Sequence, residues 1–494
     1  MAAQTQRARR WRLDQLLADI ADVGGVSDCE ISGLSLDSRQ VGAGDLFLAI
    51  PGTALDGRLF IQQALARGAA AVLCERGGDP DLSNLAVPVV HANDLRRKIG
   101  LIADRFFGSP SQKLVVIGVT GTNGKTTCAH LLAQALAQVS KPCALIGTLG
   151  SGFPGSLNML LNTTPDPIEV HRLLAHFLAA GARYVCMEVS SHALDQGRIA
   201  GVAFDVAVFT NLSRDHLDYH GNMQRYGGAK AELFEVEGLR CAVINQDDQF
   251  GRDLLAQLRG KRDTLSFGVE QGDVHAKEVR LMKDGLALRA ATPEGEIEIT
   301  SPLLGRFNAA NLLTVLAALL ACGVSLETAR AGLSGIQPVA GRVERFGGRR
   351  DLPLVVVDYA HTPDALGQAL SAVREYTPGQ LYCVFGCGGD RDRGKRPQMG
   401  RVAEELADVV ILTDDNPRGE PGDRIVADIA AGMRTKPRVV RDRPRAIQTA
   451  IEEAGQDGVV LVAGKGHEEY QYVGDQCLPY SDRRTVQRVL GEPA

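Results

Sequence analysis

The chain has 494 residues, which is enough for about three domains at the usual size of about 150 residues each. Hydrophobic residues make up 45% and charged residues 23%, a globular balance that excludes a disordered or fibrous chain. Because 54 Lys and Arg residues stand against 59 Asp and Glu residues, the net charge is −5, which argues against nucleic acid as the main partner.

The first block, residues 1–110, opens with a stretch whose apolar spacing predicts a helix around Trp11–Ile20. Short apolar runs at Leu46–Ile50 and Ala70–Cys74 predict strands. Glycine and proline fall at the ends of such runs, and this alternation of strand, turn and helix is typical of α/β architecture. A linker is predicted near Ser109–Pro110.

The second block, residues 111–342, begins with a predicted strand at Leu114–Val119. Further strands are predicted at Tyr184–Val189 and Val206–Phe209, and a helix at Ala309–Ala321. The boundary with the third block is placed near Gly341–Gly348.

The third block, residues 343–494, contains apolar runs separated by helical patterns. The runs predict buried strands at Leu354–Val357, Leu381–Phe385, Val409–Leu412 and Val459–Val462. This pattern favours a doubly wound parallel sheet. The predicted fold class is therefore α/β with three domains: a smaller N-terminal α/β domain, a central P-loop ATPase-type domain with a mostly parallel sheet, and a C-terminal Rossmann-like doubly wound domain.

The ten cysteines lack paired CxxC spacing, which predicts reduced thiols rather than a disulfide framework or a zinc ribbon. The N-terminal arginines are not followed by the apolar run of a signal peptide. No stretch reaches the about 18–20 apolar residues that a membrane span requires. We therefore expect a soluble cytoplasmic protein without membrane insertion.

A phosphate-binding loop is the strongest local feature, in the run GTNGKTT after the strand Leu114–Val119. Its glycines allow backbone N–H groups to close around phosphate oxygens, and the helix-like His130–Val139 follows. Lys125 is expected to reach the β- and γ-phosphates of ATP or GTP, and Thr126 to offer its hydroxyl to Mg²⁺. Val119 replaces the first glycine of the strict pattern, so a glycine turn with an exposed lysine stays an alternative. The predicted nucleotide-binding residues here are Gly121, Thr122, Asn123, Gly124, Lys125, Thr126 and Thr127.

Candidate metal ligands follow two further strands. Glu188 ends a buried strand and is well placed to hold Mg²⁺, although it could equally cap the next helix. His216 lies in a polar segment at another strand exit, where a hydrogen-bonded structural histidine is the more common alternative. From the residues alone, Lys230 reads as a surface lysine on a helix.

Taken together, these residues resemble the Mur ligase family of ATP-dependent amide-forming enzymes. The similarity covers most of the chain, with the motifs in the family's order, and GxxGK[TS] is this family's form of the phosphate loop. The matching motifs are GTNGKTT (121–127), MEVSSHAL (187–194), TNLSRDHLDYHG (210–221), YGGAKAELF (226–234), GRFNAANLL (305–313), AGRVE (340–344), VDYAHTPDAL (357–366), FGCGGDRDRGKRP (385–397), DDNPRGE (414–420) and GKGHE (464–468).

The resemblance implies an ATP and Mg²⁺ site shared by the last two domains. It places Lys230 on the family's carbamylated lysine, whose amine captures CO₂ and becomes a second-metal ligand. The implied metal-binding set is Thr126, Glu188, His216 and Lys230 as carbamate. Asn308, Arg342 and Asp358 match residues at the nucleotide, and His361 could assist phosphate binding or proton transfer.

The segment Asp415–Asn416–Pro417–Arg418 resembles the diaminopimelate-adding members of the family, in which the arginine binds the distal carboxylate. A guanidinium fork matches a carboxylate in bidentate fashion, and meso-diaminopimelate is lysine plus one carboxylate. Arg391, Gly464 and Glu468 match the rest of the amino-acid pocket, with Arg393 and Arg396 as lower-ranked alternatives to Arg391. A solvated Arg418 or a lysine-adding enzyme stays an alternative.

The resemblance also implies UDP-N-acetylmuramoyl-L-alanyl-D-glutamate as the other substrate. It makes residues 1–110 the domain that binds this substrate, 111–342 the ATP-binding domain and 343–494 the amino-acid-binding domain, in a protein expected to be a monomer. The implied contacts are Leu36, Ser38 and Thr53 on the uridine side, and Asn162, Thr163, Thr164, Ser190, Gln196 and Arg198 on the muramoyl-dipeptide side.

Three other functions fit the residues less well. The glycine-rich run after Phe385 is similar to the GxGxxG fingerprint of a nicotinamide-dependent dehydrogenase, but position 391, which needs the third glycine, is Arg391. A P-loop regulatory or motor NTPase would hydrolyse ATP without an amino-acid substrate. Folylpolyglutamate synthetase shares the loop, but the DNPR segment and the uridine-side motif argue against it.

Overall fold

The computed structural model describes residues 10–24, 28–52, 55–77, 85–282, 284–349, 352–377 and 379–492. Its main sheets have four, eleven and six strands, and two small two-stranded sheets accompany them. Each main sheet lies within one of the three predicted ranges, whose boundaries stay a prediction. The mixed α/β architecture confirms the predicted fold class.

The N-terminal sheet is parallel, in the order β3-β4-β5-β6. The predicted helix around Trp11–Ile20 is mostly wrong: Trp11–Arg12 pairs with a second short strand, and the helix covers only Leu13–Leu16. Asp19 has a left-handed backbone (φ 61°), which a continuous helix does not allow. The elements are β1 Trp11–Arg12, α1 Leu13–Leu16, β2 Glu30–Ile31, β3 Gly33–Ser35, β4 Asp45–Ala49, a 3₁₀ turn Gly57–Phe60, α2 Ile61–Ala66, β5 Ala71–Glu75, β6 Val89–Ala92, α3 Leu95–Phe107 and a 3₁₀ turn Pro110–Lys113.

The central sheet has the order β10-β9-β8-β11-β7-β12-β13-β14-β15-β16-β17, parallel from β8 to β15 and antiparallel at both ends. Its strands are β7 Val115–Thr120, β8 Cys143–Gly147, β9 Gly150–Phe153, β10 Ser156–Asn158, β11 Tyr184–Glu188, β12 Val206–Phe209, β13 Cys241–Asn245, β14 Asp263–Gly268, β15 Val274–Met282, β16 Gly285–Thr292 and β17 Gly295–Ser301. Its helices are α4 Lys125–Gln138, α5 Pro167–Ala179, α6 Ser191–Asp195, α7 Leu217–His220, α8 Met223–Ala231, a 3₁₀ turn Glu232–Glu235, α9 Gln249–Leu258, α10 Phe307–Ala321 and α11 Leu326–Ser334.

Helices cover both faces of this central sheet, as the apolar character of its strands requires. On β7, Ile117 and Val119 belong to the hydrophobic core that contains α4 and α10. Val116, which points to the opposite face, belongs to the core that contains α5. The phosphate-loop segment therefore leaves a strand that is fixed on both sides.

The C-terminal sheet has the order β18-β19-β23-β20-β21-β22, and only the β18–β19 pair is antiparallel. Separate hydrophobic cores lie on its two faces, as in a doubly wound domain. The strands are β18 Glu344–Gly347, β19 Leu354–Asp358, β20 Leu381–Phe385, β21 Val409–Leu412, β22 Arg438–Val439, β23 Val459–Ala463, β24 Tyr470–Val473 and β25 Gln476–Pro479. The helices are α12 Pro363–Arg374, α13 Lys395–Leu406, α14 Gly422–Ala430, α15 Arg443–Ala454 and α16 Asp482–Leu490.

Two further features bear on the sequence predictions. The cysteines of the structure form no disulfide, as their spacing predicted. Among the described residues, no helix is both long and apolar enough to cross a membrane.

Candidate active site

The phosphate loop (Gly121–Thr126) connects β7 to α4 and depends on two glycines with left-handed backbone. Gly121 has φ 144° and Gly124 has φ 84°. A Cβ on Gly121 would lie 1.9 Å from Thr210 Oγ1, so a side chain does not fit there. Lys125 Nζ donates to the carbonyls of Gly121 and Thr122 at 2.9 and 2.8 Å, which holds the ammonium at the mouth of the loop. Burial lowers the pKa of Lys125.

Glu188 ends β11 beside this loop and is completely buried. Its carboxylate accepts hydrogen bonds from Thr126 Oγ1 at 2.8 Å and from the Thr148 N–H at 2.8 Å. Arg342 Nη2 donates to the same Thr126 hydroxyl at 3.0 Å, while its guanidinium lies 4.3 Å from the centre of the Tyr359 ring. The structure thus brings together three of the predicted nucleotide and metal residues.

Lys230 is buried rather than exposed, so the prediction of a surface lysine from the residues alone is wrong. It lies on α8 with 1% exposure, and Nζ donates to the Gly121 carbonyl at 2.8 Å and lies 4.3 Å from the centre of the Tyr226 ring. Burial and the neighbouring charge of Lys125 hold its pKa well below the ordinary lysine value. Gly227, on the same helix, lets α8 pack closely, because a Cβ there would lie 2.6 Å from Phe250 Cε2.

Asp215 is the centre of a charge cluster that joins two domains, and sequence reasoning missed it. Its carboxylate faces His216 Nε2 at 3.4 Å within the central domain. From the C-terminal domain come His361 Nε2 at 3.6 Å and Lys395 Nζ at 3.5 Å. Burial would raise the pKa of Asp215, but His361 and Lys395 outweigh it and hold the pKa well below its usual range. Burial lowers the pKa of His216 to about 3, so its ring is neutral near pH 7.

Two more polar contacts cross between the same domains. Asn123 Nδ2 donates to Asp364 Oδ2 at 2.8 Å, and the Arg214 guanidinium lies 3.2 Å from Asp392. A cavity of about 490 Å³ lies at this junction. Its lining includes residues 122–127, Glu188, His216, Lys230, Asn308, Asn311, Arg342, Asp358 and His361.

Asn308 and Asn311 form one side of the cavity, on the first turns of α10. Asn308 Nδ2 donates to the Leu304 carbonyl at 2.7 Å, and its Oδ1 accepts from Asn311 Nδ2 at 2.7 Å. Sequence reasoning missed Asn311, although the motif GRFNAANLL contains it. Asp358 also lines the cavity; burial raises its pKa, and its carboxylate accepts from the Val343 and Ala360 N–H groups at 2.8 Å each.

The oxygen donors beside the phosphate loop suit Mg²⁺ better than a transition-metal ion. Across the described ranges, no group of three His, Cys, Asp or Glu side chains lies close enough to hold a metal ion. Mg²⁺ in nucleotide enzymes is held by one or two carboxylates together with phosphates and water. The Glu188 carboxylate and the Thr126 hydroxyl at the phosphate loop provide such a donor set.

The segment Asn162–Thr164, here called the substrate loop, packs against the end of β11. Thr164 Oγ1 donates to the Glu188 carbonyl at 2.7 Å, and Thr163 Oγ1 lies 3.1 Å from Thr148 Oγ1. Asn162 is exposed.

Three more residues predicted to contact the dipeptide surround the substrate loop. Arg198 Nη1 donates to the Thr164 carbonyl at 2.8 Å, and Gln196 Oε1 accepts from Arg198 Nη2 at 2.7 Å. Ser190 caps α6 through a bond from the Ala193 N–H. The predicted set therefore lies together, beside the metal candidate Glu188.

The uridine-side candidates lie in the N-terminal domain, in the loop that follows β3. Ser38 is buried, and its hydroxyl donates to Gln63 Oε1 at 2.7 Å. Leu36 is half-buried against the N-terminal core. Thr53 lies outside the described residues.

The DNPR loop (Asp415–Arg418) follows β21 and carries the side chains of Asn416 and Arg418. Asn416 Nδ2 donates to Glu468 Oε2 at 3.0 Å. Arg418 has a left-handed backbone (φ 51°), and its Nη1 donates to the Gly389 carbonyl at 3.0 Å. Burial and the charge of Arg391 lower the pKa of Arg418, and no carboxylate in the described part of the chain pairs with it.

The neighbouring arginines separate into two kinds. Arg396 is fully buried and pairs with Glu420 and Asp428 at 2.9 and 2.8 Å, and Arg393 pairs with Glu420 at 3.2 Å. Arg391 is exposed, and its side chain donates to the Asp390 carbonyl. Among the described residues, Arg391 pairs with no carboxylate, whereas Arg393 and Arg396 do, and the choice of Arg391 for the amino acid stays a prediction.

Gly464 and Gly389 allow close approach of the chain around these residues. Gly464 has φ 115°, and a Cβ there would lie 2.6 Å from Asp415 Oδ2. A Cβ on Gly389 would lie 1.8 Å from the Pro417 carbonyl oxygen. Asp358, a nucleotide candidate on β19, pairs with Ala463 on β23, the residue directly before Gly464. The amino-acid candidates at the end of β23 therefore lie next to the nucleotide candidates.

Comparison with known proteins gives matches over all three domains. Three family models match: "Mur ligase family, catalytic domain" over residues 30–107, "Mur ligase middle domain" over 119–319 and "Mur ligase, glutamate ligase domain" over 341–466. A protein of Alkalilimnicola ehrlichii named UDP-N-acetylmuramoyl-L-alanyl-D-glutamate–2,6-diaminopimelate ligase is 51% identical, over 97% of this chain and 99% of its own. A Pseudomonas aeruginosa protein of the same name is 50% identical, over 94% and 96%.

Solved structures agree. One of a ligase with that name has a TM-score of 0.71 at 35% identity and covers 97% of this chain and 99% of its own. MurF ligase from Thermotoga maritima in complex with ADP has a TM-score of 0.63 at 20% identity, over 93% and 96%, and supports the fold alone. With relatives about half identical along nearly its full length, the chain belongs to the Mur ligase family.

Proposed function

We propose that the protein is an ATP-dependent ligase that joins meso-2,6-diaminopimelate to UDP-N-acetylmuramoyl-L-alanyl-D-glutamate, a step of peptidoglycan precursor synthesis. The names of relatives that are about 50% identical support this reaction. The observation that carries the choice of amino acid is Arg418, a half-buried guanidinium with no carboxylate partner in the described structure, close enough to Glu468 for the two charges to interact.

The first step activates a carboxylate. A γ-carboxylate oxygen of the D-glutamate attacks the γ-phosphorus of ATP, the bond to the β-γ bridging oxygen breaks, and an acyl phosphate and ADP form. Lys125 and the backbone N–H groups of the phosphate loop stabilise the charge on the phosphoryl oxygens. Arg342, held against Thr126, adds a second fixed positive charge beside the loop.

The second step forms the amide. The free amine at the L centre of diaminopimelate attacks the acyl carbon, the C–O bond to phosphate breaks, and the amine loses a proton as inorganic phosphate leaves. This chemistry depends on positioning rather than on a side-chain nucleophile. The contacts of Asp215 with His361 and Lys395 close the C-terminal domain over the phosphate loop, which protects an acyl phosphate from water.

The pocket residues divide the recognition of the amino acid. Glu468 is suited to the amino group, Arg391 to a carboxylate and Arg418 to the distal carboxylate that lysine lacks. Lysine would leave the Arg418 guanidinium unpaired, and because this group is only half-buried, lysine is disfavoured by about 2–4 kcal/mol. The lysine-adding alternative is therefore the less favoured one.

Mg²⁺ fits the donors beside the phosphate loop, with Thr126, Glu188 and His216 as its candidate ligands. Bound there with ATP, it would neutralise charge on the transferring phosphoryl group. Burial keeps the imidazole of His216 neutral at pH 7, which is the form that binds metals.

A carbamate on Lys230 fits its surroundings as well. The lowered pKa of Lys230 favours the neutral amine, whose nitrogen adds to the carbon of CO₂ and releases one proton to give an anionic carbamate. The anion would compensate Lys125, whose positive charge otherwise opposes a second buried cation. It would supply an oxygen ligand for a second metal ion where the unmodified side chain is a donor only.

The reaction is tested with purified protein, ATP and the UDP-muramoyl dipeptide, with meso-diaminopimelate and L-lysine offered separately. We expect amide product, ADP and phosphate in equal amounts with diaminopimelate, and little product with lysine. ATP hydrolysis that ignores the amino acid would indicate a P-loop NTPase instead. Comparable product with lysine would contradict the specificity.

The carbamate is tested with Lys230→Ala. We expect a loss of activity that short carboxylic acids partly restore, because they can occupy the space of the missing carbamate. Lys261→Ala, an exposed lysine of the same domain, is the matched control and should behave as wild type. Full activity of Lys230→Ala without any supplement would exclude the carbamate from the mechanism.

We assign the muramoyl-dipeptide end of the substrate to Asn162, Thr163, Thr164, Ser190, Gln196 and Arg198, and the uridine end to Leu36, Ser38 and Thr53. The contacts between the substrate loop and Glu188 support the first set, because they place it beside the phosphate loop. We expect the protein to work as a monomer.

A further inference from the structure

Lys465 is a completely buried lysine in the loop after β23. Glycines flank it on both sides, with φ 115° at Gly464 and φ 53° at Gly466. A Cβ on Gly466 would lie 2.7 Å from the Gly341 carbonyl oxygen and 2.8 Å from Tyr359 Cβ. The two glycines therefore let the loop turn sharply and direct the lysine inward, beneath the amino-acid pocket.

The ammonium group of Lys465 has defined partners for its protons. Nζ donates to Asn416 Oδ1 at 3.0 Å and to Glu468 Oε2 at 2.8 Å, and it lies 5.7 Å from the centre of the Tyr470 ring. A buried lysine is costly unless it is paired and hydrogen-bonded. Both of its acceptors are residues of the proposed amino-acid pocket, while Lys465 itself is not exposed to that pocket.

These bonds fix the orientation of the two pocket side chains. Asn416 Oδ1 accepts from Lys465 Nζ and from the Tyr472 N–H at 2.9 Å, so its Nδ2 must point the other way, to Glu468 Oε2. Both donors to Glu468 act on Oε2. Within the described structure, no group donates to Glu468 Oε1, which leaves this oxygen available to an amino group.

We propose that Lys465 is the positioning residue of the amino-acid pocket: from beneath, it holds the Asn416 amide and the Glu468 carboxylate in the orientation that receives the amino group of the incoming amino acid. This inference rests on the proposed ligase function. It predicts that Lys465 affects the affinity for the amino acid and leaves the ATP step largely untouched.

The test is Lys465→Met, which keeps the length of the side chain and removes its charge and donors. We expect the KM for meso-diaminopimelate to rise about tenfold to a hundredfold, as for a lost hydrogen bond between charged groups. The KM for ATP and the kcat at saturating amino acid should stay within about threefold. Lys436→Met, which removes an exposed lysine of the same domain, is the matched control.

A double-mutant comparison distinguishes positioning from general stabilisation of the fold. If Lys465 acts through Glu468, then Lys465→Met should change the KM for diaminopimelate much less in a Glu468→Gln background than in wild type. The double variant buries no unpaired carboxylate, so it can be compared with Glu468→Gln even where Lys465→Met alone does not fold, and a large further rise in the KM for diaminopimelate would then overturn the inference.

An unchanged or lower KM for diaminopimelate in Lys465→Met would overturn the inference. So would an equal loss in both backgrounds, because that indicates damage to the fold in general. A wild-type enzyme that makes no product with diaminopimelate would contradict the proposed function, and the inference with it.

Discussion

Replacing Arg418 by alanine should remove most of the preference for an amino acid with a second carboxylate. In the structure Arg418 Nη1 donates to the Gly389 carbonyl, and no described residue accepts from Nε or Nη2. Two charge-assisted hydrogen bonds from this free edge to a carboxylate are worth about 3–6 kcal/mol. Because the guanidinium is only half-buried, solvent screening reduces this to about 2–4 kcal/mol.

That free energy corresponds to a fall of about 30-fold to 1000-fold in kcat/KM for meso-diaminopimelate. The value for L-lysine should change little, since lysine has no group for Arg418 to bind. Product is measured by chromatography with each amino acid at several concentrations, at fixed saturating ATP and UDP-muramoyl dipeptide.

Arg393→Ala is the control for the loss of a nearby arginine. Arg393 pairs with Glu420 at 3.2 Å and is 52% exposed, so its removal should change kcat/KM by less than about threefold. If Arg418→Ala keeps the wild-type ratio of kcat/KM for the two amino acids, Arg418 does not bind the distal carboxylate and the reasoning is wrong.

Three further outcomes follow from the described contacts. Asp215→Asn keeps the side-chain shape but removes the charge that Lys395 faces across the domain junction, so kcat should fall about tenfold to a hundredfold in steady-state assays. Arg214→Ala breaks the pair with Asp392, but Arg214 is 39% exposed, so kcat/KM should change by less than about threefold. Burial lowers the pKa of His130 to about 4, so below about pH 6.5 the unfolded chain binds a proton that the folded one does not. His130→Gln should therefore lose about 2 kcal/mol less stability than wild type between pH 8 and pH 5, measured by urea unfolding.

Each of these outcomes has a contrary result. Wild-type kcat in Asp215→Asn would show that the buried cluster does not support catalysis. A large loss in Arg214→Ala would show that the exposed pair contributes more to closure than its screening allows. An identical pH dependence of unfolding in His130→Gln and wild type would show that His130 does not stay neutral in the fold.

The strands and the phosphate loop were predictable because each depends on short stretches of sequence. The apolar run before Gly121 and the lysine after Gly124 define the strand, turn and helix locally. The short first helix was not predictable in the same way. Its apolar spacing is helical, but Trp11 is held by a bond to the Phe106 carbonyl, 95 residues away in sequence.

Within the candidate site, the sequence alone did not predict contacts between residues that are far apart in the chain. A lysine on a polar helix is usually exposed, and only packing against Gly121 and Tyr226 buries Lys230. Asp215 and Lys395 each lie in a matched motif, yet neither motif shows that the two side chains face each other across a domain junction. The resemblance to the family corrected the first case but did not reveal the second.

Glu188 has a consequence for the design of inhibitors. Its carboxylate receives the Thr126 hydroxyl of the phosphate loop, while its carbonyl receives the Thr164 hydroxyl of the substrate loop. The two hydrogen bonds are 2.8 and 2.7 Å long and both end on Glu188. A shift of one loop that moves Glu188 therefore also changes the hydrogen bond to the other loop. Compounds directed at the substrate loop should therefore be screened both with and without nucleotide, because a ligand that moves Thr126 would also act on the residue that holds Thr164.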